Sequence, residues 1–278
     1  MASNNLRIIY NNVVDLATTT LSASTTAGVG TPINNLKKPS KTLVWRSTNT
    51  TATITVSFGS SKSIRGVVLP FTNLSKTATI SVTLSGGDTY SSGNVLCCPY
   101  QTDKGIDASY LPPGASSYSY GGGTYARVWF PATKTCTGLT ITIVDTANVQ
   151  GYIECAYLVI GDYWSPKYNT GFGLSISPKD DSSNTRMESG DLLSTRGTKH
   201  NSLSFDLNWL TDSDRESILN LLSNVGTSRA LLLSVFPDNS EDWTRERVYQ
   251  IYGKLTELPG VTHPMFGIYS TSLEIEEV

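Results

Sequence analysis

Between Ala52 and Phe58 the chain alternates: Ile54, Val56 and Phe58 are apolar, and Thr53, Thr55 and Ser57 between them carry hydroxyls. A two-residue period sets one face of an extended segment against a core and the other in water, so the pattern predicts a strand. Gly59 to Lys62 reads as a turn, and residues 64–69 as the next strand, stopped at Pro70 because proline cannot donate to a ladder. Residues 79–84 repeat the alternation and end at Gly86 and Gly87, which completes an antiparallel meander. From there to Tyr125 the period dissolves into Gly, Ser, Pro and Tyr, and a connection of that length inside a compact domain is usually functional or mobile. Strands resume at 126–130 and 139–144. Residues 151–160 are nearly all apolar, as expected of a central strand covered on both faces.

The stretch from Gly161 to Pro166 punctuates the chain, and a new pattern follows it, so the expected division is 1–165 and 166–278. In the second part, residues 172–176 and 203–209 alternate as strands, and 180–198 reads as an exposed, flexible connection. A helix over 211–225 is predicted from Thr211 as N-cap, Asp214 three residues on, an apolar stripe of Ile218, Leu221, Leu222 and Val225, and Gly226 as the stop. Further strands are expected at 229–236, 247–252 and 267–275. The fold class is therefore mainly β: a β-sandwich, then a second antiparallel β domain with one packed α-helix.

Composition supports strands, since only 16% of the 278 residues are charged and Ser, Thr and Gly fill the polar positions. A net charge of −2 gives no electrostatic footprint for nucleic acid, which needs clustered cations. The first fifteen residues are interrupted by Asn11, Asn12 and Asp15 and lack a leader's continuous apolar stretch. No apolar run approaches the roughly 20 residues that span a bilayer. A soluble protein made in a cytoplasm is expected.

Chemistry is sparse. A hydrolytic triad needs a histidine on an activated Ser or Cys. His200 and His263 both read as solvated loop residues, outside any nucleophile motif. Asp180 with Asp181, Glu241 with Asp242, and Glu274, Glu276 and Glu277 read as surface carboxylates. The run Gly121–Gly123 lacks the Lys and helix of a phosphate loop. Asp103 and Asp107 are the nearest approach to a structural calcium loop. Cys97, Cys98, Cys136 and Cys155 form no metal-ligand spacing; they read as small buried hydrophobes, with a disulfide formed after release from the cell or a metal site as alternatives. No catalytic residue, cofactor or metal is assigned. Tyr110, Tyr118, Tyr120 and Tyr125, spaced by small residues, are candidates for partner or glycan contact, because a phenol joins a rigid apolar face to a polar tip. The same rings folded back over the sandwich edge are the alternative.

Trp45, Arg46 and Ser47, with residues 52–69 and the late strand to Ile160, resemble the discoidin or galactose-binding-like sandwich, a jelly roll, over roughly the first 165 residues. Residues 5–10, 161–166, 210–236, 251–255 and 273–277 together resemble tailed-bacteriophage proteins of the tail tip or baseplate, the distal tail proteins among them. That resemblance implies a non-enzymatic virion component assembled in the host cytoplasm. It also implies a homo-oligomeric ring, tube and hub proteins as partners, and an outward galactose-binding-like domain. In that family the ring-forming β domain comes first, whereas here the sandwich precedes it. The alternative expectation is a carbohydrate-binding module or lectin for host-surface glycans.

Overall fold

The structure, a computed structural model, describes residues 5–97, 124–171, 173–237 and 243–278. Two antiparallel sheets dominate these residues, one of eight strands and one of seven.

The first sheet is built on one long ribbon. Thr51–Thr72 is a single strand of 22 residues, and its partner Thr124–Val144 a single strand of 21. This corrects the meander expected from the sequence, in which Gly59 to Lys62 is a turn. The chain does not reverse there; it runs through a bulge, and the register shifts again between Ile64 and Gly66 and between Leu69 and Thr72. Unpaired bulge residues favour the same small and polar side chains as a turn, and Gly59 has a φ of +72° that L side chains rarely adopt. Bulging lets one ribbon serve two layers. Residues 54–57 lie between Thr20–Ala23 and the end of the partner strand, which Thr79–Ser85 flanks on its far side. Past the bulge, residues 66–68 lie between 127–129 and Val159–Gly161. Ile54, Val56, Phe58, Ile64, Ile80, Val82, Leu139, Ile141 and Ile143 fill one buried cluster between the layers.

Residues 151–160 are not one central strand. Glu154–Cys155 pairs with Trp45–Arg46, and Val159–Gly161 pairs with 66–68. Residues 153–160 are buried throughout, as their composition demands. Apolar composition sets burial, not continuity: Ala156 N donates to Phe71 O (3.3 Å) and Leu158 N to Leu36 O (3.4 Å) as the segment steps between layers.

The second sheet runs in the order Arg7–Ile9, Leu231–Ser234, Gln250–Leu255, Ile268–Glu277, Lys199–Leu210, Ser175–Asp180. The helix Asp212–Val225 covers one face, started by a reciprocal Thr211–Asp214 capping box and ended at Gly226, as its sequence signals imply. Its Ile218, Leu221, Leu222 and Val225 pack on Leu203, Phe205, Leu231, Leu233, Ile251, Leu273 and Ile275. Two features differ from expectation. Residues 180–198 are not an irregular connection but a hairpin arm, Ser183–Arg186 paired with Leu192–Thr195, whose strands are exposed on both faces and give no alternation to read. A short second helix, Trp243–Val248, precedes Gln250–Leu255.

Arg7–Ile9, which the sequence groups with the first sandwich, is strand-paired with Leu231–Ser234 in the second sheet. Ile8 N and O exchange 2.9 Å hydrogen bonds with Trp164 O and N. The chain thus leaves the second sheet after Ile9 and rejoins it beside the same strand, so the sandwich is an insertion between the sheet's first and second strands. A three-residue strand is too short to carry a period of its own.

The face of that sheet opposite the helix is covered by the sandwich along its first three strands in this order. Alternate residues of its strands face opposite ways: Ile8, Leu231, Leu233 and Ile251 face the helix, while Ile9, Leu232 and Tyr252 join Val68, Phe71, Tyr125, Tyr157 and Val159 of the sandwich. The Phe71 ring meets Tyr125 at a tilt (5.4 Å between centroids) and Tyr157 edge-on (5.9 Å), and Tyr157 meets Tyr252 at a tilt (4.9 Å). Phe71 is the one non-glycine residue with positive φ (+54°) among the described residues, a strained conformation held by burial on all sides. Across the same interface Arg127 forks onto Glu246, Nε to Oε1 at 2.6 Å and Nη2 to Oε2 at 2.9 Å, with the carboxylate fully buried. Replacing Glu246 with Ala removes the carboxylate from a largely buried guanidinium, which keeps its bond to Leu96 O (2.9 Å), and costs about 3–5 kcal/mol of stability. Urea unfolding of E246A checks this, and a midpoint equal to the parent's refutes it.

Candidate functional site

Three loops, 47–50, 73–78 and 145–153, meet at one end of the sandwich, because the strands they join end together at Thr51, Thr79 and Val144. Their backbone is fixed by buried amides. Asn73 donates to Gln150 Oε1 and Tyr152 O, each at 2.9 Å, and accepts from Glu154 N at 2.8 Å. Asn148 donates to Asn73 O and Asp145 Oδ2, each at 3.2 Å, and Ser75 N donates to Asp145 Oδ2 at 2.8 Å. Ser47 Oγ accepts from Ile153 N at 2.8 Å. On this base stands one aromatic and cationic feature. Arg46 donates to Glu154 Oε2 through Nε (3.1 Å) and Nη2 (2.6 Å), and its guanidinium lies 4.3 Å from the centre of the half-buried Tyr152 ring. Glu154 is fully buried, and Arg46 keeps 28% of its side chain exposed. The ion pair thereby holds the guanidinium over the ring. This surface can stack a ligand on the part of the Tyr152 ring that Arg46 does not cover and donate hydrogen bonds from Arg46, whose partner Glu154 is buried beneath.

Sequence reasoning quoted Arg46 within a motif but assigned it no role, and missed Tyr152, Asn73 and Glu154. The available signal was Glu154, a charge inside an apolar run, which demands a buried counter-cation.

Of the four candidate tyrosines, Tyr110, Tyr118 and Tyr120 lie outside the described residues, as do Cys98, Asp103, Asp107 and Gly121–Gly123. Tyr125 is placed in the interface between the two bodies: it is 9% exposed, and its hydroxyl accepts from Tyr252 N at 3.0 Å. It is a packing residue and not part of a contact loop.

His200 and His263 sit on strands and not in loops. His200 has Glu276 Oε1 2.7 Å from Nε2 and Asp181 Oδ2 3.4 Å from Nδ1, so both nitrogens face carboxylates and neither faces a nucleophile. His263 stacks on Tyr269 at 4.6 Å. Cys97, Cys136 and Cys155 are buried, and Cys136 and Cys155 are unbridged. Burial pushes the Cys155 and Cys136 thiols up, and Cys155 Sγ donates to Tyr157 O at 2.9 Å. No cluster of three or more His, Cys, Asp or Glu suited to a metal occurs among the described residues.

No protein-family model matches the chain, and no curated protein matches it in sequence. Solved structures similar to part of it include a family 32 carbohydrate-binding module from Clostridium perfringens NanJ in complex with galactose. That pair has 12% identity and a TM-score of 0.38, covering 57% of this chain and 99% of that one. A chitosan-binding module from a Paenibacillus sp. IK-5 chitosanase/glucanase is also similar, with 18% identity, a TM-score of 0.35, and coverage of 54% and 98%. A Ruminococcus gnavus GH29 fucosidase in complex with fucose matches at 12% identity and a TM-score of 0.36, covering 56% of this chain and 27% of the enzyme. These scores carry no argument about ligand, and the mainly β, two-sheet architecture rests on the strand pairing above.

Burial raises the Tyr125 and Tyr252 phenols, and pushes Tyr157 from the ordinary 10.0 up to about 12. A phenol that keeps its proton longer in the folded state gives its full stabilisation below the unfolded value and loses it as pH rises through the folded one. The stability these phenols contribute is expected to stay constant up to about pH 10 and to be lost steeply above it, after the raised thiols of Cys136 and Cys155 have begun to weaken the fold above about pH 9. Phenolate absorbance should show these tyrosines ionising together with unfolding; independent ionisation in a folded protein would contradict the burial.

Proposed function

We propose that the chain is a non-catalytic binding protein whose sandwich contacts glycans through its loop end. The observation that carries this reading is the Tyr152 ring beside the Arg46 guanidinium, set on loops whose buried amides hold the backbone fixed. A sugar offers an apolar C–H face and an array of hydroxyls, which suit an aromatic ring and a planar donor respectively. The galactose and fucose named for the similar structures belong to those proteins; here the reading rests on the loop end itself. Pre-ordering of the loops lowers the entropic cost of binding.

A second reading, a structural component of a bacteriophage tail tip or baseplate, is favoured by a different observation. Two hairpins leave opposite ends of the second sheet. One carries Met187, Leu192 and Leu193 at 50–55% exposure, and the other carries Met265 at 62% and Phe266 at 100%. Apolar tips at opposite ends of one body suit head-to-tail contacts, which close into rings when the rotation permits. The readings are compatible: such a component can carry a glycan-binding sandwich. Virions that lack the chain by mass spectrometry would remove the second reading alone.

For the first, a glycan array probed with the purified protein is expected to give defined binding that Tyr152→Ala weakens about tenfold, the equivalent of ~1.4 kcal/mol. Undiminished binding by a folded Y152A protein would refute the loop-end assignment.

A further inference from the structure

A cleft of about 310 Å³ opens where the two bodies meet, and it shares no residue with the loop end. Residues 36–39 and Asp15 of the sandwich side form one wall, residues 228–230 and Lys254 of the second sheet's side form the other, and Tyr157 and Tyr252 lie between them. The volume is at the lower end of ligand sites, enough for one ring-sized molecule.

Its charge is lopsided. Lys37, Lys38, Arg229 and Lys254 outnumber the acidic groups of the lining, the Asp15 carboxylate and the α-carboxylate of Val278, in a chain whose net charge is −2. The cations are anchored by neutral acceptors: Lys37 Nζ donates to Leu16 O (3.1 Å) and Thr19 O (2.8 Å), Lys38 Nζ to Asn35 Oδ1 (2.9 Å), and Arg229 Nη1 to Asn224 O (3.4 Å). Lys254 stands opposite Glu276 in strand register, but that carboxylate is engaged by His200 at 2.7 Å and Lys179 at 3.7 Å. Burial raises the Asp15 carboxyl while Arg229 and Lys37 pull it back, so these cations sit close enough to act on a carboxylate without being paired to it. The phenols, raised by burial, remain neutral O–H donors. Oriented cations held over neutral acceptors, with apolar walls that focus their field, are what an oxyanion needs.

We propose that this cleft binds a single sugar acid, a sugar carrying a carboxylate or a phosphate, with its oxyanion on Arg229, Lys254, Lys37 and Lys38 and its ring against Tyr157 and Tyr252. Uronic acids and sugar phosphates share this chemistry. The site does not depend on the loop-end reading, and either can fail without the other.

Calorimetric titration of the full chain with glucuronic acid, glucose 6-phosphate, glucose and inorganic phosphate tests it. Binding of either sugar acid is expected, with none for glucose and a loss of affinity as salt rises. A preference for glucuronic acid assigns a carboxylate ligand, and a preference for glucose 6-phosphate assigns a phosphate. The double variant R229Q/K254Q, altered at exposed side chains, is expected to raise Kd at least tenfold with an unchanged unfolding temperature. Failure of both sugar acids to bind, inorganic phosphate binding as tightly as glucose 6-phosphate, or an unaltered Kd in the folded double variant would overturn the proposal.

Discussion

The Glu246 carboxylate has been taken wholly out of water, and Arg127 is the group that makes this tolerable. A buried ion pair adds little net stability over an apolar pair of the same shape, yet it penalises every arrangement in which one charge loses its partner. Here the two partners belong to different bodies: Arg127 is on the sandwich's long strand and Glu246 on the short helix beside the second sheet. The fork therefore selects one docking of the bodies, and the aromatic cluster of Phe71, Tyr125, Tyr157 and Tyr252 supplies the area that makes the docking stable. The strain at Phe71 fits the same logic, since a positive φ persists where the surroundings over-determine the side chain.

Covalent topology reinforces the docking. Because the sandwich is inserted between Ile9 and Trp164, the two crossings lie side by side and hydrogen-bond each other at 2.9 Å through Ile8 and Trp164. A single linker permits swivelling, whereas two adjacent crossings tied as a strand pair restrict it. Gly161 lies at this junction, where an added Cβ would come within 2.6 Å of Asn11 O, so the close approach of the crossings needs glycine. The loop end and the hairpins of the second sheet are consequently carried at fixed positions on one frame.

Local physics made much of this legible from sequence. Alternation at 52–58 and 79–84, the capping box at Thr211 and the stop at Gly226 report interactions between residues a few positions apart, and each is present in the structure. What failed was continuity. Gly59 to Lys62 has the composition of a turn because a bulge places the same demand on backbone and side chain, and only the partner strand tells the two apart. The arm at 183–195 was illegible for the opposite reason: with both faces in water it has no apolar period, and its pairing is set by backbone bonds alone.

The candidate site was harder to read because its members owe their roles to residues far away in the chain. Arg46 acts through Glu154, Asn73 through Gln150 and Tyr152, and Arg229 and Lys37 come together by way of the docked interface. Tyr125 shows the limit from the other side. It stands at the margin of a Tyr, Ser and Gly segment whose composition suits a contact loop, yet its hydroxyl closes a backbone amide of Tyr252, 127 residues on. A phenol has the same apolar face and polar tip in either setting, so composition cannot separate a ligand contact from an internal one. The separating quantity is whether a buried donor elsewhere lacks an acceptor. For Tyr252 N the acceptor is that hydroxyl, and the burial of the ring follows from the need to reach it.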